Sequence, residues 1–262
     1  MRNRSFLIAG LAAVVAVAIA ASAAIAGSTG AGITTPDGNT QSVGVLITPK
    51  KLGKKTYTAA NLEATTKLTS TQPVPSPTVR VVLDFDKNAK IFTKGIPTCN
   101  PAKLQNTSTE VAKQQCGKAI IGSGTAKALL PVGSTIYSIN AAVTAFNGVP
   151  KGGKPVIILH TYSTTPIQTT LVLYGPVTNY NKEGYGPRLD LTVPLIAGGQ
   201  GALTDFNVKI SKKYKYKGQP VSFISAKCPN SGKLKSRGKF TFLDGQSSTP
   251  KSTQTCTQNK KK

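Results

Sequence analysis

Two carboxylates and one amide in the first third of the chain have the spacing of a metal site. Asp84, Asp86 and Asn88 follow the order D-x-D-x-N with which a calcium loop begins. The positions that would complete the loop hold Ala89 instead of glycine and Gly95 instead of a bidentate glutamate. As a catalytic pair, the two carboxylates would lie on one strand face about 7 Å apart. No neighbouring motif marks an active site, so we predict a solvated strand face that ends in a turn, with no metal site.

His160 is the only histidine of the chain and the obvious candidate for a general base. It lies in the run Val156–Tyr162, where a period of two places it on one face with apolar neighbours. This setting is typical of a hydrogen-bonded residue of the core or its rim. No G-x-S-x-G nucleophile elbow occurs, and Gly122–Gly124 indicates a bulge or a close backbone approach within a strand. We therefore predict no catalytic residue.

The four cysteines predict covalent crosslinks. They are Cys99, Cys116, Cys228 and Cys256. An even count in an exported chain indicates two disulfides, for which three pairings are possible. Proximity in the sequence favours Cys99–Cys116 and Cys228–Cys256. A zinc site is disfavoured because the chain has no Cys-x-x-Cys motif and a single histidine, and no cofactor is predicted.

One stretch alternates cations with aromatic rings in a way that suits anionic polymers. Its candidate polyanion-binding residues are Lys209, Lys212, Lys213, Tyr214, Lys215, Tyr216 and Lys217. The rings would stack on bases or sugars while the lysines hold phosphate or carboxylate groups. The alternative is a polar hairpin or edge strand, in which lysine prevents edge-to-edge association. Lys50–Lys55, Lys233–Lys239 and Lys260–Lys262 would extend the same field if the fold gathers them.

The charge balance favours a polyanionic partner. Lysine and arginine number 33 against nine acidic residues, and the formal net charge is +24. Such a field concentrates anions near the protein. Lysine is a hydrated point charge, whereas arginine recognises phosphate bidentately, so a lysine-rich surface predicts salt-sensitive, non-specific binding. The expected partners are anionic wall polymer, acidic polysaccharide or extracellular nucleic acid; colloidal solubility alone is the alternative.

Residues 1–26 have the order of a secretory signal peptide. Arg2 and Arg4 form a positive region, residues 6–20 are apolar, and Ala24–Ala26 offers a small-residue cleavage site. A retained anchor is the alternative, because about 20 such residues span a bilayer. No later run reaches about 18 apolar residues, so no transmembrane span is expected after cleavage. We predict a secreted or cell-envelope protein.

The remaining sequence predicts an all-β fold. Short runs rich in Val, Ile, Leu, Thr and Tyr alternate with Gly, Pro, Asn and Lys clusters, and helical periodicity is nearly absent. Turn signals lie at Asn147-Gly148, Gly152-Gly153, Gly175-Pro176 and Gly198-Gly199. Without helical crossovers the sheet must be antiparallel. We expect a two-sheet β-sandwich, Ig-like or jelly-roll-like, with a β-barrel as the alternative.

The domain limits follow from the same pattern. Residues 27–250 are expected to form one domain, of which 27–42 are flexible. Residues 251–262 are predicted to be a basic tail that is disordered after Cys256. Only 103–115 has a pattern that fits a short helix.

Cysteine, glycine and strand signatures lie in Cys116–Ala126, Leu191–Pro194, Leu203–Ile210, Ala226–Pro229, Gly238–Gly245 and Cys256. These segments resemble a recurring pattern of exported, disulfide-containing β-rich proteins of high-GC Gram-positive bacteria. Together they cover Thr78 to Cys256. The resemblance implies a single domain with two local disulfides. It implies no activity, so it transfers no functional residue.

These observations lead to a functional expectation with two rivals. We expect a non-enzymatic exported protein that binds anionic extracellular polymers through lysines. The first rival is a secreted hydrolase of polysaccharide or ester bonds, built around His160 or around Asp84 and Asp86. The second is a structural or adhesive envelope module that assembles through strand edges. The sequence leaves the oligomeric state open.

Overall fold

A computed structural model of the protein describes residues 28–259. The predicted signal peptide, residues 1–26, and the terminal lysines Lys260–Lys262 lie outside the described residues. The described part is all-β, with one short helix, as predicted. No helix within it is long and apolar enough to cross a bilayer.

The structure contains twenty strands and one α-helix among residues 28–259. The strands of the first half are β1 (Ser28–Gly30), β2 (Ile33–Thr34), β3 (Thr40–Thr48), β4 (Lys51–Leu52), β5 (Thr58–Thr69), β6 (Thr78–Asp86), β7 (Ala89–Ile91), β8 (Ile120–Val132) and β9 (Thr135–Lys151). The helix α1 spans Thr109–Cys116. Short 3-10 turns lie at Pro101–Leu104, Gly117–Ala119 and Ala197–Gly199.

The second half continues with strands only. They are β10 (Lys154–Ser163), β11 (Thr169–Asn179), β12 (Tyr185–Thr192), β13 (Ala202–Ile210), β14 (Lys213–Tyr216), β15 (Gln219–Ser222), β16 (Ile224–Ala226), β17 (Lys233–Phe242), β18 (Ser247–Ser248), β19 (Lys251–Thr255) and β20 (Thr257–Gln258).

Eleven of these strands form one continuous antiparallel wall. Its order is β3-β5-β13-β8-β9-β10-β11-β12-β6-β17-β19. Every neighbouring pair is antiparallel, as predicted. The two-sheet sandwich is not confirmed, because hydrogen bonding runs through all eleven strands without a break between two layers. The wall instead curls until it is nearly closed into a barrel, since a twisted sheet of this width rarely stays open and flat.

Two polar side chains close the seam between the first and last strands of the wall. The Ile47 N–H donates to Gln254 Oε1 at 2.6 Å, and Gln254 Nε2 donates back to the Ile47 carbonyl at 2.6 Å. Two residues earlier, the Val45 N–H donates to Ser252 Oγ at 3.3 Å. Ser252 and Gln254 are both buried. Their side chains thus take the place of a backbone ladder and satisfy the edge groups of β3.

Strand β1 lies at the same seam. It pairs with β19 from Ser28 to Gly30. A Cβ added at Gly30 would overlap the Val43 carbonyl oxygen of β3, so glycine is required at this close approach. The seam is therefore sealed by both side chains and backbone.

The barrel interior is filled by alternate residues of each strand. In β3 these are Val43, Val45 and Ile47, and in β10 they are Ile157 and Leu159. Period-two alternation places every second side chain on the inner face. The result is a single large apolar core that touches all sides of the wall.

A second core lies outside the barrel, beneath the segment that carries α1. It includes Phe146, Ile158 and Leu104, all buried. Strand β10 is therefore buried on both faces, which explains its unbroken apolar run. Ser108 accepts a hydrogen bond from the Val111 N–H at 3.3 Å and starts α1, in the region where the sequence predicted a short helix.

Both predicted disulfides form. Cys99–Cys116 fastens the α1 segment onto the second core, and Cys228–Cys256 connects the loop before β17 to the end of β19. No free cysteine occurs in the described part of the chain. The prediction of two local pairs is confirmed.

The folded domain extends closer to both termini of the chain than the sequence predicted. Lys251–Thr255, predicted as part of a tail, is strand β19 of the wall, and Thr257–Gln258 pairs with β4 after Cys256. In the region expected to be flexible, β1 and β2 pair with β19 and β3. The inward residues of β19, Ser252 and Gln254, are polar because they bond to the backbone of β3. The strand therefore lacks the apolar alternation by which the sequence predicts a strand.

The seam predicts a specific stability defect. Gln254→Ala leaves a buried N–H and a buried carbonyl of Ile47 without partners, which costs about 2–4 kcal/mol of unfolding free energy. Gln246→Ala, at an exposed glutamine, is the matched control and should cost less than about 0.5 kcal/mol. Urea unfolding of the oxidised protein measures both; equal stability of the two variants would contradict the seam.

Candidate functional site

The two ends of the barrel have opposite surface chemistry. At one end lie the connections 49–57, 87–88, 152–153, 180–184, 211–223 and 227–232, each of which contains lysine or is flanked by it. We call this the lysine end. At the opposite end, the connections 70–77, 133–134, 164–168, 193–201 and 243–250 contain no lysine. Exposed apolar side chains cluster there instead: Val132, Ile136, Tyr137, Ile167, Leu195 and Leu243.

The lysine end gathers clusters that are far apart in sequence. Its lysines are Lys50, Lys51, Lys54, Lys55, Lys87, Lys90, Lys94, Lys151, Lys154, Lys182, Lys212, Lys213, Lys215, Lys217, Lys227 and Lys233. All are at least partly exposed. The predicted cluster Lys50–Lys55 and the stretch 209–217 thus share one end, whereas Lys233–Lys239 runs along β17 away from it. Because so many positive charges lie close together, the potential at this end is positive and raises the local concentration of anions.

None of this positive charge is neutralised by a direct ion pair. Within residues 28–259 every salt bridge uses an arginine, and no lysine forms one. Arg80 pairs with Asp190, and Arg188 and Arg237 share Asp84. Three of the nine carboxylates, Asp84, Asp190 and Glu183, are therefore engaged by arginine, and the lysines stay available to external anions.

Asp84 is the centre of a buried ion cluster. Arg188 contacts it bidentately at 2.6 and 2.9 Å, and Arg237 Nε donates to it at 2.8 Å. The ring of Tyr180 stacks on Arg188, whose Cζ lies 3.7 Å from the ring centroid. Burial alone would raise the pKa of Asp84, but the hydrogen bonds and charges of the two guanidinium groups outweigh it and lower the pKa. The cluster joins the neighbouring strands β6, β12 and β17.

The prediction of a solvated face at Asp84 and Asp86 is wrong, because both side chains are buried. Asp86 does form the predicted turn: its Oδ1 accepts from the backbone and side-chain nitrogens of Asn88 at 2.9 and 2.8 Å. Its Oδ2 accepts from the Lys235 N–H at 3.0 Å. Both carboxylates are engaged by the protein itself. Residues 28–259 contain no cluster of three or more metal-ligating side chains.

His160 is a core residue, in agreement with the expectation from its neighbours. It is fully buried between the outer face of β10 and the α1 segment. Its Nε2 lies 3.1 Å from the Thr107 carbonyl and 3.3 Å from Thr107 Oγ1. Burial lowers the pKa of His160, only partly offset by the hydrogen bond to Thr107. The histidine fixes the segment that covers the second core, out of reach of a substrate.

The lysine–tyrosine stretch forms the β14–β15 hairpin, which is the alternative that the sequence left open. Tyr214 donates its hydroxyl to the Phe92 carbonyl at 3.1 Å, and its ring stacks on Phe92. Tyr216 meets Phe92 edge-on, with ring centroids 5.5 Å apart. Both rings are thus occupied by the protein. What the hairpin presents outward is its exposed lysines, Lys213, Lys215 and Lys217.

A cleft opens at the lysine end between β7 and the β11–β12 turn. It has a volume of about 410 Å³. Its lining includes Lys87, Lys90, Asn179, Asn181 and Pro187. We call it the mouth. It brings two unpaired cations and two amides to one concave surface.

No single segment of the sequence shows that these lysines share one end of the barrel, because that follows only from the topology of the strands. A usable signal exists in the meander β8 to β12, where consecutive turns lie at alternate ends. The turns at Gly133 and 164–168 lack lysine, whereas Lys151-Gly-Gly-Lys154 and Lys182 carry it. Lysine in every second turn of an antiparallel meander indicates one charged end.

No family model, curated protein or solved structure matches the chain. The chemistry of its own residues therefore carries the functional proposal.

The ion cluster predicts acid sensitivity. Because the folded-state pKa of Asp84 lies below its unfolded value of about 3.9, its stabilisation is present above about pH 4 and is lost as the pH falls through the folded value. Asp84→Asn removes it at pH 7 as well, at a cost of about 3 kcal/mol, because Arg188 loses its counter-charge and Arg237 keeps only the exposed carboxylate of Glu183.

The control for this prediction is Asp190→Asn, which breaks the exposed pair with Arg80 and should cost less than about 1 kcal/mol. Urea unfolding between pH 7 and pH 3 measures the unmodified protein and both variants. A steep loss of stability below pH 4 that persists unchanged in Asp84→Asn would show that another group is responsible.

Proposed function

We propose that the protein is an exported, non-enzymatic binding protein that captures anionic polymers at its lysine end. The observation that carries the proposal is the gathering, at one end of the barrel, of lysines that form no ion pair within residues 28–259. Lysine carries its ammonium group on a flexible stem. Lysines on exposed loops therefore adapt to the irregularly spaced charges of a polymer without needing a fixed binding geometry.

The chemistry of the cations argues for loose binding. All three arginines of the described chain, Arg80, Arg188 and Arg237, take part in ion pairs. Bidentate phosphate recognition therefore has no free guanidinium among residues 28–259. Binding through lysines alone releases counterions and weakens steeply with salt. Anionic wall polymer, acidic polysaccharide and extracellular nucleic acid all fit this mode.

The compartment agrees with such partners. Two disulfides indicate an oxidising environment outside the cytosol. The signal-peptide pattern of residues 1–26 supports export, and the protein then acts in the medium or at the cell envelope. Polyanions are abundant at that location.

The non-enzymatic part of the proposal is supported by the state of the candidate catalytic groups. His160 is buried against Thr107, and Asp84 and Asp86 are saturated by protein donors. A polymer recovered after incubation with the protein should therefore keep its length on a gel. Shortened polymer would support the hydrolase instead.

The binding test compares two variants of equal charge. The first replaces Lys54, Lys55, Lys213 and Lys215 by glutamine at the lysine end, and the second replaces Lys67, Lys127, Lys239 and Lys251. Retention of a labelled single-stranded DNA and of purified wall polymer is measured from about 50 to 200 mM salt. The first variant should bind at least tenfold more weakly, with a salt slope reduced by about 0.7 for each phosphate that is no longer neutralised. Equal weakening in both variants would contradict a localised site.

A further inference from the structure

The tyrosine rings at the lysine end already contact other side chains. They are Tyr57, Tyr180, Tyr185, Tyr214 and Tyr216. The first three contact lysine or arginine cations, and the last two contact Phe92. Single-stranded nucleic acid binds by stacking its bases on aromatic rings, and here a base would have to displace an existing contact. The lysine end therefore offers nucleic acid positive charge, but its rings are already engaged.

The mouth combines cations with amides that have no partner in the protein. Its lining includes two exposed lysines, Lys87 and Lys90, and two exposed amides, Asn179 and Asn181. None of the lining residues is acidic or aromatic. Within residues 28–259 neither amide side chain is hydrogen-bonded and neither lysine forms an ion pair. The mouth thus presents positive charge and hydrogen-bonding groups to a ligand on one concave surface.

The two turns that form the mouth are fixed to each other. The Lys87 N–H donates to the Gly184 carbonyl at 3.1 Å. A Cβ added at Gly186 would lie 2.9 Å from Lys87 Cα, so the close approach of the turns requires glycine. Asn181 has a φ of 52°, a left-handed conformation in which asparagine is enriched. The polar groups of the mouth are thus attached to a well-anchored backbone, which lowers the cost of ordering them on binding.

The rest of the lining is mostly apolar. It includes Ala89, Ile91, Pro155, Val177 and Pro187. The volume of about 410 Å³ falls within the range of about 300–1,000 Å³ of small-molecule sites, which combine apolar walls with a few polar groups. A sugar ring has the complementary combination, because its C–H faces are apolar and its hydroxyls surround its edge. The mouth therefore suits a sugar that carries an anionic group.

We propose that the mouth binds one acidic sugar unit, carboxylated or phosphorylated, of an extracellular polysaccharide. The ammonium groups of Lys87 and Lys90 hold the anionic group. Asn179 and Asn181 bond the hydroxyls, because each amide offers donors and an acceptor and each hydroxyl both donates and accepts. This inference rests on the proposed function and narrows its partner from polyanions in general to acidic polysaccharide.

The same contacts select against DNA. An internal nucleotide of DNA has no free sugar hydroxyl, since its 3′ and 5′ oxygens are esterified and the 2′ hydroxyl is absent. The amides of the mouth therefore find no sugar hydroxyl on DNA, whereas the lysines attract both kinds of polymer. Charge thus accounts for capture, and the amides account for the difference in affinity between the two polymers.

The first experiment uses the unmodified, oxidised protein and three ligands. They are hexagalacturonate, neutral maltohexaose and an oligothymidylate of the same charge as hexagalacturonate. Isothermal titration at about 150 mM salt measures affinity where the general field of the lysines is screened. We expect hexagalacturonate to bind at least tenfold more tightly than either of the other two. Equal affinity for hexagalacturonate and the oligothymidylate would overturn the proposal.

The amides are tested without any change of charge. Asn179→Ala with Asn181→Gly should weaken hexagalacturonate about tenfold and leave the oligothymidylate unchanged. Glycine at position 181 keeps the left-handed backbone. The matched control is Asn140→Ala with Asn106→Gly, because both residues are exposed, Asn106 is left-handed with a φ of 54°, and neither lines the mouth. This control should leave both ligands unchanged.

The lysines are tested at equal loss of charge. Lys87→Gln with Lys90→Gln should weaken hexagalacturonate at least tenfold, whereas Lys213→Gln with Lys215→Gln on the hairpin should weaken it less than threefold. Equal weakening by the two pairs would overturn the assignment of the anionic group to the mouth. Competition by glucuronate and by glucose 6-phosphate against labelled hexagalacturonate then shows which anionic group is preferred.

The outcomes also separate this proposal from polymer binding in general. Hexagalacturonate affinity that survives in a folded asparagine variant, verified by circular dichroism, would overturn the sugar site but not charge-driven capture at the lysine end. Failure of the unmodified protein to bind any polyanion at about 50 mM salt would overturn both. If the asparagine variant does not fold, the comparison of the three ligands with the unmodified protein decides.

Discussion

Closure of the sheet at the boundary of β3 and β19 is the constraint on which the rest of the structure depends. An open eleven-strand wall would expose two edges of unpaired backbone groups. Ser252 and Gln254 satisfy the edge of β3 with their side chains, and β1 pairs with the edge of β19 through its backbone. The Cys228–Cys256 disulfide fastens the end of β19 next to the seam. Only because the wall closes does it have an enclosed interior and two distinct ends.

The division of labour between arginine and lysine follows from this architecture. Three neighbouring strands, β6, β12 and β17, carry the three arginines together with Asp84 and Asp190, and the third acidic partner, Glu183, lies in the turn between β11 and β12. Asp84 accepts from two guanidinium groups and is almost fully buried, so this part of the wall is crosslinked by charge. Most lysines of the lysine end lie on its turns or next to them, and none of them forms an ion pair within residues 28–259. Positive charges that stabilise the fold are thus carried by arginines in the wall, and positive charges that can bind a partner are carried by lysines at the lysine end.

Local features of the fold were predictable from the sequence, and long-range ones were not. The strand Thr78–Phe85 is β6 almost to the residue, and His160 lies in the core. Gly122 and Gly124 approach the carbonyls of β13 so closely that a Cβ would overlap them, in line with the close backbone approach predicted there. These outcomes depend on period two and on glycine sterics, which act over a few residues.

The errors have a common physical origin in contacts between distant segments. Asp84 is predicted to face solvent, but its partners Arg188 and Arg237 come from more than a hundred residues away. Asn147-Gly148 resembles a turn, yet it lies inside β9, where the Asn147 amide donates to the Ile96 and Pro97 carbonyls. The choice between sandwich and barrel likewise depends on which distant strands pair. Periodicity along one strand carries no information about that pairing.

The most direct test of the central claim is a lysine footprint of the full chain. Amine acylation, read out by mass spectrometry, is compared with and without a saturating polyanion at low salt. We expect lysines in the loops of the lysine end to become severalfold less reactive, while Lys67, Lys127, Lys239 and Lys251 react as before. Uniform protection of all lysines, or protection confined to the strands away from that end, would contradict a binding surface at the lysine end.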